Sequence, residues 1–233
     1  MTVTPAMIDD LMRRSEAVVS TLAGDAVVGG YVEAVRPLPR PFVGTGEIKL
    51  VILGQDPTVE REESRESVTT VLNLDRGGSL RTFLDGKVCK GLGLKLEENV
   101  YATNVCKNFF TASPKDVKEP NLIAVSAPHW LALLREELAW FPNAAVISLG
   151  EPVLSALVCA GFTQDVKAYW GYRADWQATG FESFRMVEAG EASIERPFFP
   201  FIHQWSQTQK FYTARMDQCL AFIRTRMAGG DTP

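Results

Sequence analysis

The chain contains 233 residues, of which 46% are hydrophobic and 22% charged, and it carries a formal net charge of −4. A chain of this length buries roughly 70–75% of its unfolded surface, enough for one large domain or two small ones. It has no run of about 18 apolar residues, which excludes a membrane-spanning helix, and residues 1–16 mix acidic with apolar side chains, unlike a signal peptide. We therefore expect a cytoplasmic protein with no membrane partner.

The cysteines and the charge distribution bear on whether the protein holds a metal ion and whether it binds nucleic acid. The four cysteines are irregularly spaced and form no Cys-x-x-Cys pair, which predicts reduced thiols and no metal site or other cofactor. The negative net charge does not suggest a nucleic-acid-binding protein, yet Arg76–Lys118 holds eight basic and four acidic residues. Because salt confines the field of a charge to about 8–10 Å, such a local patch can bind phosphate on an acidic protein.

The first 46 residues are predicted to form a helical extension packed on the main domain. Thr4-Pro5 is a typical helix start, and an apolar stripe at helical spacing follows it: Ile8, Leu11, Met12, Val18, Val19 and Leu22. The segment Arg36–Gly46, punctuated by proline and glycine, leads into the first strand. We assign residues 47–228 to the main domain and expect the tail 229–233 to be frayed.

Strands and helices alternate along the main domain. Apolar runs predict four strands, at 48–53, 99–105, 145–149 and 198–202. Leu80–Phe83 is predicted to begin a helix, and a separate helix with Pro128 near its first turn carries Leu131, Leu134, Leu138 and Phe141 on one face. Further helices are predicted from Pro152 to Val158 and from Tyr212 to Met227. This alternation predicts an α/β fold with three layers, α/β/α, around a central four-stranded parallel sheet.

Two segments fit this alternation less well. Val68–Leu74 is predicted as a short strand or an extended wall. The segment Tyr169–Phe184 is rich in aromatic residues and has weak periodicity. A second small core is the favoured interpretation, and a stacking platform with Arg173 and Arg185 is the alternative.

Polar side chains follow three of the predicted strands. Asp56 follows the first strand in the turn Gly-Gln-Asp-Pro, Asn104 ends the second, and His203 follows the fourth. Right-handed crossovers place the carboxyl ends of parallel strands at one edge of the sheet, which is where ligands bind in such sheets. We therefore expect a carboxylate, an amide and an imidazole to meet in one cleft.

These residues, in this order, resemble the uracil-DNA glycosylase superfamily. GQDPT at Gly54–Thr58 is similar to its first motif, GQDPYH, and TNVCKN at Thr103–Asn108 is similar to the strand that presents the base-reading Asn. AVISLGEPVLSAL at Ala145–Leu157 resembles the third strand and its helix, and HQWSQ at His203–Gln207 stands where that superfamily has an HPSPLS-type motif.

The resemblance implies a monomeric enzyme that binds DNA and hydrolyses the N-glycosidic bond of a flipped-out uracil or related base. It makes Asp56 and His203 catalytic: the carboxylate would stabilise the positive sugar and orient water, and the neutral imidazole would donate to the departing base. The implied base-binding residues are Gln55, Thr58, Leu72 and Asn104, and the implied phosphate- or DNA-binding residues are Lys107, Trp205, Ser206 and Gln207.

Departures from the family pattern leave the substrate open. Thr58 replaces a Tyr that excludes thymine, Leu72 stands near the place of an aromatic that stacks on the base, and Trp205 either replaces the wedge that enters the duplex or is a core residue. Ser206 either contacts phosphate or caps the last helix. The acidic segment 60–66 either points away from DNA or indicates another ligand.

Structural roles remain as alternatives for the central residues: a turn carboxylate for Asp56, a loop-satisfying amide for Asn104 and a structural histidine for His203. Two other functions also remain open. The chain is either a non-catalytic superfamily member that binds nucleic acid or a protein, or a hydrolase of free nucleosides or nucleotides.

Overall fold

The computed structural model describes residues 3–59 and 61–229, so the predicted frayed tail lies outside it except for Gly229. Within those residues one five-stranded sheet has the order β1-β3-β2-β4-β5. Its strands are β1 (Phe42–Val43), β2 (Leu50–Gly54), β3 (Val100–Asn104), β4 (Ala145–Leu149) and β5 (Phe199–Phe201). Strands β3, β2, β4 and β5 are parallel, and β1 runs antiparallel to β3 at the edge.

The α/β class is confirmed, whereas the prediction of four strands was wrong by one. The four predicted strands are all present, and the fifth, β1, lies in the segment that we interpreted as a connection. Its two residues are flanked by proline and glycine, so no run long enough to predict a strand exists there. An antiparallel edge strand on a parallel sheet is a common addition.

Ten α-helices occur in the described part of the chain: α1 (Pro5–Ala23), α2 (Glu62–Arg65), α3 (Ser79–Phe83), α4 (Lys90–Leu92), α5 (Leu96–Asn99), α6 (Leu122–Ala139), α7 (Glu151–Leu157), α8 (Val166–Tyr169), α9 (Trp176–Thr179) and α10 (Lys210–Ala228). A π-helical turn, Leu84–Cys89, joins α3 to α4. Shorter 3₁₀ turns occur at Gly29–Tyr31, Val71–Asn73, Pro114–Asp116, Ala189–Glu191 and Gln204–Ser206. None of the described helices is both long and apolar enough to cross a membrane.

Helices cover both faces of the sheet. On one face Tyr101 of β3 contacts α6, through its hydroxyl to Glu137 and its ring to Phe141. On the other face Phe201 of β5 contacts Phe83 of α3. Because both faces are covered, β2 and β3 are buried along their whole length, and β2 has a continuous apolar run rather than an alternating pattern.

The described part of the N-terminal segment, residues 3–46, packs on the main domain and contributes to its hydrophobic core. Helix α1 has the predicted apolar stripe and packs against α6, where Arg14 makes two hydrogen bonds to Glu136, of 2.5 and 2.7 Å. Strand β1 adds an edge strand to the sheet, so the segment 3–46 supplies both a packed helix and a strand to the main domain.

Two local predictions were wrong. The segment Val68–Leu74 does not form a strand: Thr70 is extended and forms an isolated bridge with Arg40, whereas Val71–Asn73 is a 3₁₀ turn in which Leu72 and Asn73 have positive φ angles of 58° and 52°. Pro128 lies inside α6 rather than in its first turn, because that helix already begins at Leu122, with Asn121 as its N-cap. Pro128 is exposed, so the lost hydrogen bond falls on the solvent side of the helix.

The aromatic segment belongs to the same core as the sheet and does not form the second small core that we favoured from the sequence. Trp170 is buried, with its ring against Tyr212 and Phe201. The Arg215 guanidinium of α10 lies 4.1 Å from the ring centre of Phe181 and 4.0 Å from that of Phe184. These contacts attach the segment to α10 and leave its rings occupied by protein.

Candidate functional site

The strand order identifies the edge of the sheet at which a ligand is expected. The chain passes from β2 to β3 on one side of it and then crosses to β4 on the other side. The connections therefore diverge between β2 and β4, and a crevice forms beyond their carboxyl ends. Gln55 follows β2 there, and Gly150 with Glu151 follows β4.

A cavity of about 320 Å³ opens at this point, and we call it the switch-point cleft. One wall is formed by the loop after β3 and the other by α7. Its polar lining residues are Gln55, Lys115, Lys118, Asn121, Glu151 and Ser155. Of the site residues predicted from the sequence, Gln55 is the one that lines it, so the cleft is displaced toward β4 from the place expected for it.

Asp56 lies beside the cleft and is held by its own turn. Its Oδ2 accepts the backbone N–H of Thr58 at 2.9 Å, and the side chains of Thr58 and Gln55 also bond to the carboxylate. Burial nevertheless dominates and raises the pKa of Asp56 from 3.8 to about 6, although these hydrogen bonds and the charge of Arg65 act in the opposite direction. A partly buried carboxylate that is costly to ionise is typical of a functional group.

Thr58 holds this turn in place. Its hydroxyl oxygen accepts the backbone N–H of Phe110 at 2.8 Å and the hydroxyl also bonds to Asp56. The side chain thus joins the turn after β2 to the segment after β3. The hydroxyl of Thr58 therefore positions Asp56, and the contact of Thr58 with a base stays a prediction.

Asn104, at the end of β3, is fully buried, and neither Oδ1 nor Nδ2 has a hydrogen-bond partner among the described residues. Leaving a buried amide unpaired costs about 1–3 kcal/mol, so such a group calls for an explanation. A loop-satisfying role would require a bond from this side chain to loop backbone, and the amide makes none within the described chain. A ligand that offers both a donor and an acceptor would satisfy it.

Leu72 and Gly54 complete the surroundings of this amide. Asn104 pairs in register with Gly54, where an added Cβ would collide with the Asn104 Oδ1 and lie 2.7 Å from the Leu72 Cδ2. Only glycine therefore fits at residue 54. Leu72 holds a left-handed backbone conformation that costs a non-glycine residue about 1–2 kcal/mol, and strain of this kind is often found at ligand sites.

His203 lies at the same edge of the sheet, two residues beyond β5. Its ring is partly buried, and burial lowers the pKa of His203 below its usual value, which favours the neutral imidazole. Gly150, with φ of 86°, brings the end of β4 close to it: a Cβ there would be 3.9 Å from the Cβ of His203.

The register shows how the three predicted residues relate. Asn104 and Phe201 lie in one cross-strand row with Gly54 and Leu149, and hence on one face of the sheet. Asp56 and His203 each follow two residues later. Because β4 separates β2 from β5, two strand spacings, about 10 Å, lie between the paths of Asp56 and His203. The three residues are thus brought to one edge of the sheet, but none of them lines the switch-point cleft, so their meeting in one cleft stays a prediction.

The predicted DNA-binding residues divide into two groups. Trp205 is 74% exposed, which rules out the core alternative. Ser206 and Gln207 are partly buried beside it, and Ser206 does not cap α10, whose N-cap is Gln209. Lys107, by contrast, cannot contact phosphate, because its side chain is 7% exposed and its ammonium pairs with Glu137 at 2.5 Å. It faces α6 rather than solvent because Thr103 and Glu137 supply its hydrogen bonds there.

The acidic segment is directed toward solvent. Glu62, Glu63 and Glu66 are exposed, whereas Arg65 turns inward to Glu33, at 2.7 Å. Glu60 lies outside the described residues. This exposure is compatible with both alternatives for the segment, so the choice between them stays open.

Sequence patterns missed most of the cleft lining. Lys115 and Lys118 were counted only as members of a basic region, and Glu151 and Ser155 only as part of a helix, because nothing local distinguishes a cleft wall from a solvated surface.

Among the described residues no group of three or more His, Cys, Asp or Glu side chains is placed to hold a metal ion. Neither the protein-family models nor the curated proteins with which we compared the sequence match it.

Proposed function

We propose that the chain is a divergent member of the uracil-DNA glycosylase superfamily that removes uracil or a related base from DNA. The observation that carries this proposal is the buried, unpartnered amide of Asn104 at the edge of the sheet that also presents Asp56 and His203. An imide edge, with a carbonyl beside an N–H, supplies the acceptor and donor that this amide lacks.

Hydrolysis would proceed with the C1′–N bond breaking and its electron pair leaving with the base. Asp56, as carboxylate, stabilises the positive sugar and accepts a proton from the water whose oxygen bonds to C1′. A pKa of about 6 suits this role, because the group is mostly ionised at neutral pH yet basic enough to take a proton.

His203 would stabilise the leaving base. A neutral imidazole donates an N–H to the carbonyl oxygen on which negative charge collects, and the lowered pKa of His203 favours that neutral form. Removing one such donor typically costs a factor of about 10²–10³ in rate. No proton needs to leave the imidazole for this role.

The remaining residues would position the DNA. Flipping a nucleotide out of the stack costs a few kcal/mol, and the exposed Trp205, with Ser206 and Gln207, is available to fill the gap and contact the backbone. Leu72 replaces aromatic stacking with an aliphatic contact above Asn104.

The test is a base-release assay on oligonucleotides carrying uracil, hypoxanthine, xanthine or mismatched thymine. We expect abasic sites with at least one of these, loss of activity by at least about 10²-fold in His203→Ala, and a comparable loss in Asp56→Asn. Asp217→Asn, which changes an exposed carboxylate on α10, is the matched control and should leave the rate unchanged.

Three results would contradict the proposal in different ways. DNA binding without base release favours a non-catalytic protein. Release from a free nucleoside but not from an oligonucleotide favours a nucleoside hydrolase. Unchanged rates in both the Asp56 and His203 variants remove the mechanism.

A further inference from the structure

We infer that the switch-point cleft binds a phosphodiester of the DNA strand next to the flipped nucleotide, with Lys118 and Lys115 as its cationic wall. This inference rests on the proposed function, because it takes the ligand to be a DNA strand. It assigns a role to residues that the base-release mechanism does not use.

The position of the cleft connects it to the reaction. Gln55 lines the cleft and its side chain also bonds to the Asp56 carboxylate. One side chain thus separates the cleft from the group that would act on the sugar. A DNA strand has one phosphate on each side of every sugar. If a sugar lies at Asp56, we therefore expect one of the neighbouring phosphates to lie in the cleft.

One wall of the cleft carries positively charged and N–H-donating side chains, which can bind an anion. Lys118 is exposed on the loop after β3, and Lys115 lies in the 3₁₀ turn of the same loop. Asn121 accepts the N–H of Ala124 through Oδ1 at 3.1 Å, so its Nδ2 hydrogens are what it offers a ligand. Glu151 lies on the opposite wall, which places the phosphate on the loop side.

The size of the cleft favours a short piece of a strand. Its volume of about 320 Å³ is at the lower end of the range for ligand pockets, roughly 300–1,000 Å³. The cleft opens to the surface, so a strand could pass along it. Lys107 was the lysine expected to serve the phosphate, and its burial leaves that task to this loop.

The experiment measures the salt dependence of DNA binding for Lys118→Gln and for the double variant Lys115→Gln/Lys118→Gln. Both are made in an Asp56→Asn background, so that the uracil stays attached to the strand. Binding of a labelled single-stranded oligonucleotide containing uracil is then followed by anisotropy at several salt concentrations. Each lost phosphate contact lowers the slope of log K against log salt by about 0.7. We therefore expect a reduction of about 0.7 in the single variant and about 1.4 in the double.

Lys49→Gln in the same background is the matched control. Lys49 is similarly exposed and precedes β2, so it lies at the opposite edge of the sheet, about 20 Å along the strand from Gln55, beyond the screening length of about 8–10 Å. Its slope should equal that of the parent.

The outcomes separate this inference from the proposed function. A Lys118-dependent slope without base release by the wild-type protein supports the cleft and refutes the enzyme. A parental slope in the double variant, or no binding of the oligonucleotide by the parent, overturns the cleft proposal. A Lys118-dependent affinity for dUMP without oligonucleotide binding also overturns it, since the cleft would then serve a free nucleotide.

Discussion

Asp56→Asn should make the protein more stable at neutral pH while abolishing base release. Burial raises the pKa of this carboxyl from 3.8 to about 6 in the folded state. At about 1.4 kcal/mol per pKa unit, ionised Asp56 opposes folding by about 3 kcal/mol. Asparagine keeps an oxygen to accept the Thr58 N–H and carries no charge to desolvate.

The sign of the pH dependence follows from the raised pKa. Below about pH 4 the carboxyl is protonated in both the folded and the unfolded state, and its charge has no cost. Between about pH 4 and 6 the unfolded state ionises first, so the stability of the wild-type protein falls as the pH rises. The asparagine variant lacks this loss, and its advantage should grow from about zero at pH 4 to about 3 kcal/mol at pH 7.5.

Urea denaturation of both proteins at pH 4 and at pH 7.5 measures the difference directly. Thermal unfolding at pH 7.5 should show an increase in Tm of about 6–12 °C, since 1 kcal/mol shifts the Tm of a chain of this size by about 2–4 °C. Asp217→Asn serves as the control and should show no pH-dependent difference. If Asp56→Asn is less stable than the wild type at pH 7.5, the carboxylate is a structural turn residue and the reasoning is refuted.

Three further predictions concern the surroundings of the site. Gly54→Ala should displace the Asn104 amide, lowering base release at least about 100-fold at a cost of about 1–3 kcal/mol in the free energy of unfolding; full activity in a kinetic assay would contradict the placement of that amide. Lys107→Met should destabilise the fold by about 3–5 kcal/mol, because the charge of Glu137 is then buried without its partner. In urea titrations the double variant Lys107→Met/Glu137→Gln should recover most of that loss, and an equally unstable double variant would contradict this. Trp205→Ala should change the unfolding free energy by less than about 0.5 kcal/mol but weaken DNA binding by about 1–3 kcal/mol in anisotropy titrations; a large stability loss would place its ring in the core.

The sequence was sufficient for the parts of the fold that have long periodic or apolar runs. The strand Ala145–Leu149 has the bounds predicted from the sequence. The apolar stripe of α1 forms the buried face of that helix, as predicted. Strand β1 was missed because two residues carry no periodicity, and its pairing with β3 is decided by tertiary contacts. The turns of Val68–Leu74 were missed because a left-handed Leu72 contradicts its local preference and is imposed by its neighbours.

Part of the candidate site also followed from the sequence and part did not. The placement of Asp56, Asn104 and His203 at one edge of the sheet was predictable, because parallel strands deliver their carboxyl ends there. Lys107 was misjudged because its charge suggested solvent, whereas Glu137, thirty positions later in the chain, supplies a buried partner. The cleft lysines were not distinguished, since a wall made of a loop and a helix exists only after the chain has folded.

Strand β1 also bears on how this protein can be shortened. It covers the outer side of β3 with two antiparallel pairs, Phe42 with Ala102 and Val43 with Tyr101. A version trimmed to start at residue 47 would leave the backbone hydrogen-bonding groups on the outer side of the buried strand β3 open to a neighbouring molecule, and such edges promote aggregation. We therefore expect that a shortened version must keep Phe42 and Val43 to limit self-association.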